Sequence, residues 1–207
     1  VFKDVLGKEI DAPFRRMAYC DAMEKYGSDK PDTRNSLTLV NLSTQAKKSS
    51  FQVYQSAIDR GEILKGLCFL EKEPIPRSEL DGLMKKVSPF GAKGITWIRI
   101  KDPGDWQSPQ AKFFDEALKA EIESLLPYKK AAMLFLVCGR DKVVNNALSA
   151  LRLEYGARFG YTDASRYEFL WVTDFPLLEF NDEDGRFYAA HHPFTSPHPA
   201  DLQMFLD

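Results

Sequence analysis

The chain has 207 residues, 44% of them hydrophobic and 28% charged, which is enough apolar material for one large domain or two small ones. Its 28 lysines and arginines against 30 aspartates and glutamates leave a formal charge of −2, so no overall basic field draws it to nucleic acid. No apolar run approaches the roughly 20 residues that a membrane span needs, the opening Val1-Phe2-Lys3-Asp4 lacks the regions of a signal peptide, and Cys20, Cys68 and Cys138 form neither a disulfide framework nor a zinc-ligand pair. The expectation is a soluble protein of the reducing cytosol.

In chain order, the first 36 residues predict a helix near Tyr19 to Tyr26 and then a turn-rich stretch in which Gly27 and Pro31 break regular structure. Residues 50–55 and 65–70 read as two β-rich runs on either side of Gly61, a hairpin or neighbouring strands. Leu80, Leu83, Met84 and Val87 keep the i, i+3, i+4, i+7 spacing of one helix face, with Ser78 placed to cap the start and Pro89 to stop it. Residues 94–100 predict a central strand, both of whose faces are partly apolar. Ser108 and Pro109 then read as a cap and first-turn pair for a second helix with Phe113, Phe114, Leu118, Ile122, Leu125 and Leu126 on its stripe.

Residues 131–138 form a continuous apolar run that suits a strand buried on both sides. Asp141 is placed to cap a third helix bearing Val144, Ala147, Leu148 and Leu151, which Gly156 ends in a left-handed conformation. Cys68 and Cys138 lie in strand-like runs, where a thiol behaves as a small buried hydrophobe. The order from about residue 50 to 155 predicts an α+β domain, a mixed sheet with helices packed on one face. Beyond it, residues 169–180 and 186–192 read as two strands joined by the polar loop 181–185, and a two-stranded hairpin of this kind needs a sheet to pack on.

Two segments concentrate chemistry. His191 and His192 follow a strand, but neighbouring strand residues face opposite ways and no third ligand has metal spacing, so a zinc site is not expected. Residues 27–32 gather two carboxylates, an ammonium and loop amides, which fit a solvated turn as well as a site. No Walker loop, no G-x-G-x-x-G after a strand and no G-x-S-x-G elbow is present.

Three ordered stretches carry a resemblance: Phe14 to Tyr19 with Glu24 to Arg34, then Leu170 to Pro176 (L-W-V-T-D-F-P), then His191 to Pro197 (H-H-P-F-T-S-P). In these the chain resembles the bacterial aspartyl-tRNA synthetases. Between them, residues 91–100, 108–113 and 150–156 look like the insertion (GAD) domain which those enzymes share with the B subunit of the tRNA-dependent amidotransferase.

The resemblance implies a cytoplasmic class II ligase that activates L-aspartate with ATP and Mg²⁺ and transfers it to tRNA(Asp), working as a homodimer with no membrane partner. It implies a two-layer α/β insertion domain over residues 37–156, with residues 1–36 and 157–207 as segments of an antiparallel catalytic sheet. The family pattern gives His191 a contact with the aspartate substrate and His192 a weaker positional role; the loop Tyr26 to Asp32 is structure around the site. No catalytic, cofactor-binding or metal residue carries over, because the phosphate-binding arginine with its acidic neighbours and the closing G-L-D-R motif have no counterpart in the chain. The expectation is therefore part of a longer ligase, inactive alone and with no ATP or Mg²⁺ bound. The alternative is a stand-alone tRNA-binding or amidotransferase-associated module.

Overall fold

The computed structural model describes residues 1–181, 184–190 and 197–206. In chain order the helices are α1 (Phe2–Leu6), α2 (Tyr19–Tyr26), α3 (Ser43–Lys48), α4 (Gln52–Asp59), α5 (Arg77–Val87), α6 (Glu116–Leu125), α7 (Asp141–Arg158) and α8 (Leu202–Leu206). The strands are β1 (Arg15–Ala18), β2 (Leu39–Asn41), β3 (Ile63–Leu70), β4 (Thr96–Asp102), β5 (Asp105–Gln107), β6 (Ala132–Gly139), β7 (Leu170–Thr173), β8 (Leu178–Asn181) and β9 (Arg186–Ala189). They divide into two compact units, Ala22–Glu168 and a second made of Val1–Asp21 with the residues from Phe169 onward. The boundaries expected at residues 36 and 156 both lie inside the first of these. Among the described residues no helix is long and apolar enough to cross a membrane.

The middle unit is built on a five-stranded sheet in the order β2-β3-β6-β4-β5, with every neighbouring pair antiparallel. This corrects the expected mixed sheet. The helical connection through α5 returns the chain so that β3 and β4 run the same way, and β6 fills the gap between them in the opposite sense.

The expected packing of helices on one face is also corrected. One core joins Leu67, Phe69, Met133 and Phe135 to Leu83 of α5 and Leu148 of α7. The other joins Leu64, Cys68, Leu134 and Ile98 to Tyr54 of α4 and Ile122 of α6. Successive residues of a strand face opposite ways, so β3 and β6, apolar on both faces, require a helical layer on each side.

Local corrections follow the same physics. Residues 50–55 are not a strand; Tyr54 and Ala57 are buried while Val53 is 60% exposed, the threefold rhythm of a helix. Ser78 lies inside the first turn of α5, which starts after Pro76 with no side-chain cap. α6 is capped by Asp115, whose carboxylate accepts from Leu118 N at 2.8 Å, while Ser108 closes a turn upstream by accepting from Gln110 N. Asp141 is the first helical residue of α7, and α7 runs through Gly156 to Arg158, leaving the left-handed position to Gly160.

In the second unit, β1 and β7 pair in parallel from Arg15↔Leu170 to Ala18↔Thr173, unlike the antiparallel order that the resemblance implies. β8 and β9 form the expected antiparallel hairpin, Leu178↔Ala189 to Asn181↔Arg186. The predicted strand 169–180 is broken into β7 and β8 at Asp174, which adopts a left-handed φ of 59° just before Phe175 and Pro176. Phe169 packs between Phe2 and Phe14, with ring centroids 5.2 and 5.3 Å away.

Candidate functional site

His191 and His192 lie outside the described residues. The third histidine, His198, is described, and the sequence reading passed over it. It caps the turn Pro199–Asp201, its Nδ1 accepting from Ala200 N at 3.2 Å, so in the neutral ring the proton sits on Nε2. Nε2 stands 3.8 Å from Asp174 Oδ1, too far for a hydrogen bond but close enough for an ion pair when the ring is protonated. Thr173 Oγ1 donates to Asp174 Oδ2 at 2.9 Å. The L-W-V-T-D-F-P segment is thereby brought to the segment that follows H-H-P-F-T-S-P. The local signal for His198 was its place between Pro197 and Pro199, where a ring at a turn start meets a free main-chain amide.

The loop that follows α2 is held as a fixed piece of structure. Gly27 takes a left-handed φ of 65°, and a Cβ there would come within 2.6 Å of Asn145 O, so both conformation and space demand glycine. Asp32 accepts a fork from Arg34, 2.9 Å to Nε and 2.8 Å to Nη2, and the Arg34 backbone amide adds a third bond at 3.1 Å. The Arg34 hydrogen bonds hold the Asp32 carboxyl below the usual carboxylate range against a smaller push from burial. Asp32 is thus consumed by the loop, while Asp29 and Lys30 remain exposed.

Arg152 of α7 fixes the far end of this loop. Its Nε donates to Leu37 O at 2.6 Å, and its Nη2 donates to Asp32 O at 2.9 Å and Asn35 O at 2.6 Å. The guanidinium also lies 4.8 Å from the centre of the Tyr26 ring. Burial draws its pKa down, opposed by Tyr26 and Asp32. Asn35 answers by donating Nδ2 to Arg152 O at 2.8 Å. The pair lies more than a hundred residues apart in sequence, and no local pattern links them.

Lys65 is a second buried cation. Its ammonium reaches Glu24 Oε2 at 2.6 Å, Asn145 Oδ1 at 3.1 Å and the carbonyls of Met23 and Glu24 at 3.2 and 3.3 Å. It thereby satisfies main-chain acceptors at the carboxyl end of α2, where a positive charge is favoured by the helix dipole.

Cys68 is fully buried and burial pushes its thiol up to about 12, in keeping with the hydrophobe expected there. Cys138 is half-buried, and Cys20 is exposed. Among the described residues no three His, Cys, Asp or Glu side chains come together to hold a metal ion.

The model of the tRNA synthetases class II (D, K and N) family matches residues 1–206. The chain belongs to that family. Among its relatives, it is 44% identical over 203 residues to an aspartate–tRNA ligase of Halalkalibacterium halodurans, covering 98% of this chain and 34% of the relative. It is 41% identical over 204 residues to an aspartate–tRNA(Asp/Asn) ligase of Desulfatibacillum aliphaticivorans, covering 99% of this chain and 34% of that one. The aspartate–tRNA ligase of Shouchella clausii is 42% identical over 205 residues, again with 99% of this chain and 35% of the relative covered. The chain thus spans about a third of the length of the curated relatives it matches.

Proposed function

We propose that the chain is part of an aspartate–tRNA ligase, which activates L-aspartate with ATP and Mg²⁺ and transfers the aspartyl group to tRNA(Asp). The observation that carries this reading is the identity of 41–44% to aspartate–tRNA ligases along 98–99% of the chain. A cytoplasmic homodimer is the working state, with residues 37–156 as the inserted GAD-type domain and residues 1–36 and 157–207 as segments of the catalytic domain. His191 supplies a hydrogen bond to the substrate carboxylate, strengthened by charge when the ring is protonated, and His192 has a weaker positional role. The 207-residue chain alone is inactive, because the arginines that would stabilise charge on the phosphates are not among its motifs.

The test is aspartate-dependent ATP–pyrophosphate exchange. The chain alone gives none above blank, and the full-length protein gives exchange with aspartate but not with lysine or asparagine. In the full-length protein His191→Ala lowers kcat/KM for aspartate by on the order of tenfold to a hundredfold, the weight of one hydrogen bond to a charged group. His192→Ala has a smaller effect. Equal losses from the two variants would refute the unequal roles of the pair, and exchange driven by another amino acid would refute the substrate.

A further inference from the structure

A cleft of about 540 Å³ opens in the middle unit where its sheet is notched. On the β3 side, β6 is paired to its end at Ile63↔Gly139. On the β4 side the last pair is Thr96↔Leu136, so Val137, Cys138 and Gly139 have no strand beside them there. Leu136, Cys138 and Gly139 from this bare edge line the cleft, together with Phe51, Ile95 and Val143 as apolar walls.

The polar groups are few. The buried Tyr54 hydroxyl donates to Thr96 Oγ1 at 2.7 Å, which leaves the Thr96 hydroxyl proton for another acceptor. Burial, helped by Glu62, pushes the Cys138 thiol up to about 11, so it packs as a neutral group and not as a nucleophile. At the rim stand Arg60, Lys93 and Arg140, and the single carboxylate among the lining residues, Glu62, is paired with Arg60 at 2.9 Å. The amino end of α7, which contributes Arg140 and Val143 to the wall, adds the positive pole of an 18-residue helix.

The volume is within the range of about 300–1,000 Å³ typical of small-molecule sites, and an apolar body with a few convergent polar groups is their usual lining. A purely aliphatic guest would offer nothing to the bare strand edge or to the Thr96 hydroxyl proton, which costs binding energy. A flat ring with polar edges satisfies both, and an anionic group answers the cationic rim.

We propose that this cleft binds a nucleotide unit. Its heterocycle lies on Phe51, Ile95 and Val143 with its polar edge at the free side of β6, and its phosphate lies at Lys93, Arg140 and the start of α7. This is independent of the ligase reading, since every group named belongs to the middle unit.

The experiment is a titration of the isotope-labelled 207-residue chain, read by amide chemical shifts, with AMP, GMP, CMP and UMP, a trinucleotide, and inorganic phosphate. Saturable shifts are expected at Ala57, Thr96, Val137, Cys138 and Gly139, with phosphate alone at least tenfold weaker. A tighter response to the trinucleotide assigns the unit to an RNA end, and a tighter response to a mononucleotide assigns it to a free ligand. Gly94 lines the cleft with open space at its Cβ position, so Gly94→Trp occludes the site without straining the backbone and should abolish the shifts. Exposed Lys93→Glu should weaken binding by roughly tenfold or more, the scale of a lost charge-assisted contact. Absence of shifts at millimolar nucleotide, equal binding of phosphate alone, shifts confined to residues 1–21 and 169–206, or shifts unchanged in a folded Gly94→Trp would each overturn the proposal.

Discussion

The middle unit and the flanks handle their apolar side chains in opposite ways. In the middle, every residue from Leu64 to Phe69 and from Ala132 to Val137 is buried, because each face of the sheet carries its own helical layer and core. In the flanks no residue of β1, β7, β8 or β9 is fully buried, and Trp171, Phe180 and Phe187 are 60%, 53% and 65% exposed. Both regions are rich in β-branched and aromatic residues, so composition does not separate them. What separates them is the number of covered faces. Five paired strands with helices above and below withdraw nearly all their apolar area from water, whereas two-stranded pairs leave most of it in contact with solvent.

Truncation at the centre of the middle sheet should break this contrast most visibly. Phe135 is fully buried on the central strand, 5.3 Å from Phe69 and 5.0 Å from Tyr155 between ring centroids. Phe135→Ala should lower unfolding stability by about 3–5 kcal/mol, through lost transfer energy and the cavity left behind. Denaturant unfolding with unchanged m-value checks it. A loss under 1 kcal/mol would mean that this core can collapse around the gap.

Gly156→Ala tests a different constraint. A Cβ there would overlap the Asn35 side-chain amide, which cannot swing aside cheaply because it donates to Arg152 O. Overpacking of this kind should cost about 1–3 kcal/mol even though alanine favours a helix over glycine. A stabilised variant in thermal unfolding would show that the approach is not tight.

Acid sensitivity gives a smaller effect. Burial would raise the Glu79 pKa, but hydrogen bonds from Tyr155 at 2.8 Å and Arg158 at 2.7 Å, with the charges of Arg158 and Lys86, outweigh it and hold the carboxyl below its ordinary 4.5. A folded pKa below the unfolded one means stability that is complete above 4.5 and is lost as pH falls through the folded value. The group is partly solvated, so the contribution should stay under about 1 kcal/mol. The advantage of the natural protein over Glu79→Gln should shrink on acidification below that point; an advantage that grows would reverse the sign.

How far the sequence was legible follows from the same division. β3, β4, β6 and the faces of α5 and α7 could be read because long apolar runs and a sustained helical period are local signals. The run of residues 131–138 already implied burial on both faces, and therefore a second helical layer, but α4 was hidden by the β-forming residues Phe51, Val53 and Tyr54. A short segment is decided by what it packs against, here the second core. The role of Gly156 was misread as a helix stop because its partner Asn35 is remote in sequence, and the Arg152 network is illegible for the same reason. In the candidate site, L-W-V-T-D-F-P could be recognised as a motif, but the left-handed turn at Asp174 and its approach to His198 depend on tertiary geometry.

The smallest predicted effect sharpens the contrast from the other side. Trp171 lies on β7 between half-buried neighbours and is itself 60% exposed. Trp171→Ser removes a large aromatic, a change that in the middle sheet would be among the costliest available, yet most of the ring's area is already in water. Its unfolding stability should therefore stay within about 0.5 kcal/mol of the natural chain, as for surface substitutions that disturb no cap, network or cavity. A loss of several kcal/mol in the 207-residue chain would mean that Trp171 is covered in solution. The flanks would then carry a packed core of their own, and the difference between the two regions would be one of surroundings and not of architecture.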